Sequence, residues 1–211
     1  MTKISNKPLT CPSCGYHGEY KMYDSVNVTL EPKLREKVLS GTIFDWVCPH
    51  CGESISIRYN MLYHDMDRGF QVYYSPSHSA ETNKMMNDLL TKYPGMRCLC
   101  RTVETLNDLR EKIYIFEDGL NDIAIELLKL VMKYEKNSNI PEECELRFQK
   151  MTSKNQMVFC KIIDGHPQEG YLLLDKSNYD NYLHEVSTNP KYKMDKYCDI
   201  IDVNWIINHM K

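Results

Sequence analysis

The most regular hydrophobic pattern of the chain lies between residues 105 and 134, where apolar side chains recur at alternating steps of three and four. A seam of this kind, sustained over more than three heptads, predicts one long helix that packs along its length against another element. Gly119 interrupts the pattern at a cost of about 1 kcal/mol, so a kink or a break into two helices is the alternative. The seam consists of Leu106, Leu109, Ile113, Phe116, Leu120, Ile123, Leu127 and Leu130.

Charged side chains occupy the opposite face of this predicted helix. They are Asp108, Glu111, Lys112, Asp122, Glu126, Lys129 and Lys133. The division predicts one buried face and one face in water. Because each exposed apolar side chain forfeits about 1.5–3 kcal/mol, the seam must be covered, either by the C-terminal part of the chain or by a second copy. We favour cover within the chain, and therefore a monomer over a homodimer.

Shorter segments rich in β-branched and aromatic residues predict strands in the first third of the chain. The predicted strands are residues 19–30, 42–47, 54–59 and 69–75. Between the first two strands, Pro32 stands at a favourable first helical position and Gly41 follows the last turn, which predicts a short inserted helix.

The remaining patterns complete an α+β fold. A helix over residues 80–93, capped by Ser79, is ended by Pro94 and Gly95, and a strand over 96–103 follows. The C-terminal part is predicted to form strands 144–151, 157–163 and 171–175 and helices 177–186 and 202–210.

We therefore predict three parts. Residues 1–76 form a strand-rich unit with a helical insertion, residues 77–138 carry a helix, a strand and the long heptad-patterned helix, and residues 139–211 form a small C-terminal α+β unit. The last boundary follows a polar run that ends at Pro141.

Two short repeats carry the clearest chemistry. Cys-Pro-Ser-Cys-Gly spans residues 11–15 and Cys-Pro-His-Cys-Gly spans residues 48–52. Two residues between paired cysteines allow both sulfurs to bind one metal at about 2.3 Å. The pattern predicts one structural zinc ion per chain, whose ligands are Cys11, Cys14, Cys48 and Cys51. Residues 1–76 are therefore predicted to be a zinc ribbon with a helical insertion. Two disulfides or four free thiols are the alternatives.

Charge and composition narrow the class of protein. The net charge is −3, and the first 80 residues carry about as many acidic as basic side chains, without the basic stripe typical of nucleic-acid binding. No hydrophobic stretch predicts a secretory signal or a membrane span. The chain has nine cysteines, an odd number that cannot all pair as disulfides within one chain. Together with the lack of a predicted secretory signal, this number favours a cytoplasmic protein.

Catalytic motifs are scarce. His64 and Asp65, with Asp67 nearby, could form a base and its orienting group, but an isolated His-Asp pair is more typical of a turn held by side-chain to backbone hydrogen bonds. No phosphate-binding loop or nucleophile elbow is present in the sequence.

The two cysteine repeats are accompanied by segments that resemble the CpXC domain family of bacteria and archaea. These segments are Asp24-Ser25-Val26-Asn27-Val28, Pro32-Lys33-Leu34, Leu62-Tyr63-His64-Asp65-Met66 and the run from Leu109 to Lys129. The resemblance implies the metal site at the four cysteines already named, and it implies no activity.

Three functions remain open at this point. The first is a non-enzymatic protein-binding or scaffold module, whose partner is a protein. The second is a transcription-associated or nucleic-acid-binding zinc ribbon, which the neutral charge disfavours. The third is an enzyme that uses His64, Asp65 and Asp67, which requires these side chains to converge in a pocket.

Overall fold

The structure, a computed structural model, describes residues 1–77, 80–96, 98–136 and 138–211. It divides into two compact units, Met1–Arg110 and Glu111–Lys211. Helices and several sheets confirm the mixed α+β class. The predicted helix cap Ser79 lies outside the described residues. None of the described helices is long and apolar enough to cross a membrane.

The strands of the first unit form a mixed sheet and a separate hairpin. Within this unit the sheet order is β1-β2-β5-β6-β7, with β2 parallel to β5, β6 parallel to β7, and the other pairs antiparallel. Strands β3 and β4 pair with each other. The bounds are β1 Lys3–Thr10, β2 His17–Asn27, β3 Asp45–Val47, β4 Ser54–Ser56, β5 Met61–Asp65, β6 Phe70–Tyr74 and β7 Leu99–Val103.

Strand β1 is not predicted by the sequence pattern, which indicates no element over these residues. Its residues are mostly exposed and include Pro8, which cannot donate to a sheet ladder. Among the described strands, β1 lies at the sheet edge and pairs with β2 alone, a position that tolerates both features. Residues 42–44 also differ, because they form a turn of 3₁₀ helix before β3 instead of the start of a strand.

The predicted inserted helix is present as α1, Lys33–Ser40, and the next helix is α2, Ala80–Lys92. Gly41 ends α1 in the left-handed conformation, with φ of 84°. The guanidinium of Arg110 donates to the carbonyls of Leu39 (2.6 Å) and Ser40 (3.2 Å). A cation therefore satisfies the free carbonyls at the C-terminus of α1.

The prediction of one long helix is wrong, and the alternative break at Gly119 is what the chain adopts. Helix α3 covers Leu106–Glu117 and α4 covers Asp122–Tyr134. Gly119 has φ of 67°, and Gly119 N–H and Leu120 N–H donate to Phe116 and Ile115, the two bonds of a Schellman ending. Asn121 then caps α4 by accepting from Ala124 N–H.

Six of the eight seam residues are buried in the single chain. They are Leu109, Ile113, Phe116, Leu120, Ile123 and Leu127. The seam is thus apolar and covered, as its pattern indicates, although it is divided between two helices. The preference for a monomer stays a prediction.

The charged face does not lie in water as predicted. Its members Glu111, Lys112, Asp122, Glu126 and Lys129 are all buried. Lys112 Nζ lies 3.0 Å from Asp122 and 3.4 Å from Glu126, and Lys129 Nζ lies 2.9 Å from Glu111. Charged side chains are buried almost only when paired, and here α3 and α4 supply the pairs to each other.

The second unit contains a three-stranded antiparallel sheet of order β10-β9-β8. After α4, the helices and strands of the second unit are β8 Glu145–Met151, β9 Gln156–Ile163, β10 His166–Asp175, α5 Lys176–Thr188, the short strand β11 Cys198–Asp199 and α6 Val203–Met210. The β9–β10 turn has positive φ at both Asp164 and Gly165, as a tight hairpin requires. At the outer edge of β8, the carboxylate of Glu111 accepts a hydrogen bond from Phe148 N–H, and that of Asp118 accepts one from Met151 N–H. The carboxylates of α3 and of the residue after it therefore satisfy edge amides that no described strand of this sheet reaches.

Candidate metal centre

The first cysteine pair forms the turn between β1 and β2. Gly15 N–H donates to Cys11 carbonyl at 2.9 Å, and Cys11 N–H donates to Tyr16 carbonyl at 2.8 Å. Gly15 has φ of 72°, a conformation that side chains rarely adopt. The glycine therefore allows the chain to turn back immediately after Cys14.

The second pair repeats this geometry in the turn between β3 and β4. Gly52 N–H donates to Cys48 carbonyl at 2.9 Å, Cys48 N–H donates to Glu53 carbonyl at 2.8 Å, and Gly52 has φ of 77°. The same five-residue pattern thus builds the same loop twice. We call the two loops the first and second knuckle (residues 11–15 and 48–52).

The knuckles bring the four predicted ligands together. The sulfurs of Cys11, Cys14, Cys48 and Cys51 all lie within 4.8 Å of one another. Cys11 Sγ is 3.7 Å from Cys51 Sγ, and Cys14 Sγ is 3.7 Å from Cys48 Sγ. Tetrahedral bonds of about 2.3 Å place two sulfurs about 3.8 Å apart, whereas a disulfide bond measures about 2.05 Å. The four cysteines are free thiols spaced to hold a metal ion.

The two sulfurs of each knuckle differ in their surroundings. Cys11 and Cys48 are each 1% exposed and belong to a small core that also contains Tyr20 and Trp46. Cys14 and Cys51 are exposed. The pocket for an ion therefore has a buried side and a side that faces solvent.

Trp46 fixes the second knuckle against β2, a role that the sequence pattern does not predict. Its indole N–H donates to Glu19 carbonyl at 3.1 Å. Gly18 allows the close approach, because a Cβ at that position would lie 3.1 Å from Trp46 Cζ2 and 2.9 Å from Tyr16 Cε1. The only signal in the sequence is the position of Trp46, two residues before Cys48.

Gly18→Ala is expected to destabilise the first unit by about 1–3 kcal/mol, because the new methyl group overpacks two aromatic rings. Gly95→Ala is the matched control, since a Cβ there meets no atom within 4 Å; its effect should stay within about 0.5 kcal/mol. Urea denaturation of both variants measures the difference. Equal stability of Gly18→Ala and the parent would contradict this packing.

The two histidines near the knuckles have other contacts. His50 stacks on Tyr16, with ring centroids 6.0 Å apart and planes 5° from parallel. The Nδ1 of His17 lies 2.9 Å from Thr10 Oγ1. Neither histidine belongs to the ligand group, which consists of cysteines alone.

Backbone amides already favour one thiolate. Burial raises the pKa of Cys48, but hydrogen bonds from Cys51 N–H and His50 N–H outweigh it and bring the pKa to about 7. For Cys51 the N–H of Glu53 lowers the pKa, but hydrogen bonds with the neighbouring cysteine sulfurs, that with Cys14 the largest, raise the pKa to about 12. Four thiolates in so small a volume repel one another, and a bound divalent cation would supply the positive charge that lets all four ionise.

Among the described residues, the candidate catalytic side chains His64, Asp65 and Asp67 do not form a close group. The buried carboxylate of Asp65 accepts from the backbone N–H of Arg68 at 3.1 Å and from its guanidinium at 2.7 Å. The side chain of Asp67 is exposed, and burial lowers the pKa of His64. Asp65 therefore holds the turn between β5 and β6, as the turn interpretation predicts.

Comparison with known proteins gives one match. The family model described as CpXC protein matches residues 9–129, which is more than half of the chain and includes all four cysteines. Neither the curated proteins nor the solved structures gave a match. Both knuckles, α3 and the part of α4 up to residue 129 lie within the matched residues, and the chain belongs to the CpXC family.

Proposed function

We propose that this CpXC chain is a non-enzymatic protein-binding or scaffold module built around one structural zinc ion bound by Cys11, Cys14, Cys48 and Cys51. The observation that carries the proposal is the placement of four sulfurs within 4.8 Å of one another. Four thiolates fill the tetrahedral coordination of zinc and leave no position for water or substrate. This is the ligand set of structural zinc, whereas catalytic zinc keeps an open position.

The ion would join two hairpins that are otherwise held by a small core. The buried members of that core are Cys11, Tyr20, Trp46 and Cys48, two of which are proposed ligands. Structural zinc in small domains contributes about 10–16 kcal/mol of apparent binding free energy at neutral pH. The metal ion would therefore be the main stabiliser of this ribbon. Its proposed role is to hold the ribbon in one folded conformation.

An exposed apolar stripe supports protein binding. Along α2, Met85 is 54% exposed and Leu89 is 39% exposed, and Tyr93 immediately after the helix is 45% exposed. The three recur at steps of four and so share one face, while Met86 and Leu90 are buried. A contiguous apolar face on a helix is typical of a surface that meets another protein.

The test is capture of partners by the intact protein and by Leu89→Asp. Because Leu89 is exposed, the substitution should change the free energy of unfolding by no more than about 0.5 kcal/mol, yet it places a charge in the proposed contact. We expect proteins captured by the parent from native-cell extract to be lost with Leu89→Asp, as measured by mass spectrometry. Lys84→Asp, an exposed polar position on the same helix, should retain them. Retention by Leu89→Asp would contradict a role for this face.

A further inference from the structure

Each knuckle presents one sulfur to solvent and keeps one buried. Cys14 and Cys51 are exposed, whereas Cys11 and Cys48 are 1% exposed. A small oxidant in solution therefore reaches the second cysteine of either knuckle first. The buried cysteines are reached only through their exposed neighbours.

The short sulfur distances connect exposed to buried positions across the knuckles. Exposed Cys14 lies 3.7 Å from buried Cys48, and exposed Cys51 lies 3.7 Å from buried Cys11. Each exposed sulfur thus has a partner in the other knuckle, close enough to form a disulfide after a small movement. Both crossed bonds would link the same two hairpins that the metal ion would link.

We infer that the four-cysteine centre is a reversible, peroxide-sensitive zinc site, an inference that rests on the proposed zinc ion. Hydrogen peroxide oxidises the thiolate of Cys14 or Cys51 to a sulfenic acid and releases hydroxide. The buried thiolate of the other knuckle attacks this sulfur, forms the disulfide and expels a second hydroxide. Each disulfide thus consumes two thiolates and one peroxide, and the zinc ion leaves once its ligands are oxidised.

The crossed pairing decides what happens to the fold. A disulfide within one knuckle would leave the two hairpins unconnected after the zinc ion departs. The bonds Cys14–Cys48 and Cys11–Cys51 keep them connected, so the β1–β4 ribbon persists without metal. Reduction by a thiol then regenerates four thiolates in place, ready to bind zinc again.

The experiment treats the zinc-loaded full chain with hydrogen peroxide and follows free zinc with a chromogenic chelator. Trypsin leaves Cys11 and Cys14 on one peptide, 4–21, and Cys48 and Cys51 on another, 38–58. Fragmentation of the joined peptides then assigns the bonds. We expect release of the bound zinc, joined peptides with the Cys14–Cys48 and Cys11–Cys51 bonds, unchanged far-ultraviolet circular dichroism, and full rebinding after dithiothreitol and zinc. Cys98→Ser, which removes a cysteine outside the cluster, should behave as the parent.

Three results would overturn the inference while leaving the proposed zinc site intact. They are retention of zinc under peroxide, disulfides within a knuckle, and irreversible sulfinic or sulfonic acids at Cys14 and Cys51. A full chain that binds no zinc before oxidation would instead refute the proposed function, and the inference with it. The two failures are therefore separable in one experiment.

Discussion

Cys14→Ser is expected to abolish metal binding and to unfold the β1–β4 ribbon. Cys14 is exposed, so exchanging its sulfur for oxygen should by itself change stability by no more than about 0.5 kcal/mol. As one of the four proposed ligands, however, it would support a bound ion worth about 10–16 kcal/mol, as much as the whole stability of a typical domain. The expected loss is therefore far larger than the exposure of this side chain would suggest.

The measurement combines metal content with the nuclear magnetic resonance spectrum of the ribbon residues. The matched control is Cys98→Ser, because Cys98 is a half-buried free thiol outside the ligand group. We expect Cys98→Ser to keep its metal and a dispersed spectrum, whereas Cys14→Ser loses both. A folded, fully metallated Cys14→Ser protein would contradict the assignment of this ligand.

The second large effect is expected at Glu111. Its carboxylate lies 2.9 Å from Lys129 Nζ and 2.9 Å from Arg147 Nη1, and it also accepts from Phe148 N–H at 2.8 Å. Glu111→Gln removes the negative charge that these two cations share inside the unit. Loss of one partner from a buried ion pair costs about 3–5 kcal/mol, and we expect a loss of this size at pH 7 in urea denaturation.

Glu126→Gln is the matched comparison on the facing helix. Burial raises the pKa of Glu126 even though Lys129 and Lys112 are close, so its charged form contributes no net stability. Lys112 keeps Asp122, and Lys129 keeps Glu111, after the substitution. We expect Glu126→Gln to cost less than about 1 kcal/mol. A cost equal to that of Glu111→Gln would contradict the network as described.

The same network predicts a dependence on pH. Burial raises the pKa of Glu111, but Lys129 and Arg147 outweigh it and bring the pKa down from 4.5 to about 2. A carboxyl whose pKa is depressed on folding stabilises the protein above pH 4.5 and loses that contribution as the pH falls toward 2. The difference corresponds to about 3 kcal/mol. Glu126, whose pKa is raised, acts in the opposite direction, so the acid-induced loss should be steeper in Glu126→Gln and shallower in Glu111→Gln.

Local signals explain what the sequence could predict. Each knuckle depends on five consecutive residues, whose cysteines and glycine place its own two sulfurs, whereas the contact between the knuckles depends on distant residues such as Trp46 and Glu19. The end of α1 at Gly41 and the cap of α6 at Asp202 are likewise set by neighbours within four residues. Elements defined in this way lie within a few residues of their predicted positions.

Contacts between distant segments explain the errors. The burial of Glu111 depends on Arg147, 36 residues away, and a helix pattern alone cannot show that a charged side chain has such a partner. The close contact between Gly18 and Trp46 likewise joins residues far apart in the sequence, so local patterns do not predict it. The heptad pattern across Gly119 predicts one helix. Gly119 ends the first helix and Asn121 caps the second, so the chain forms two helices.

The central claim is that the four cysteines bind one zinc ion, and metal analysis of the full chain tests it most directly. Protein purified without chelator should contain about one zinc per chain, and X-ray absorption at the zinc edge should show four sulfur neighbours at about 2.3 Å. Less than about a tenth of an equivalent of zinc, iron in its place, or a nitrogen or oxygen neighbour in the first coordination shell would contradict the account.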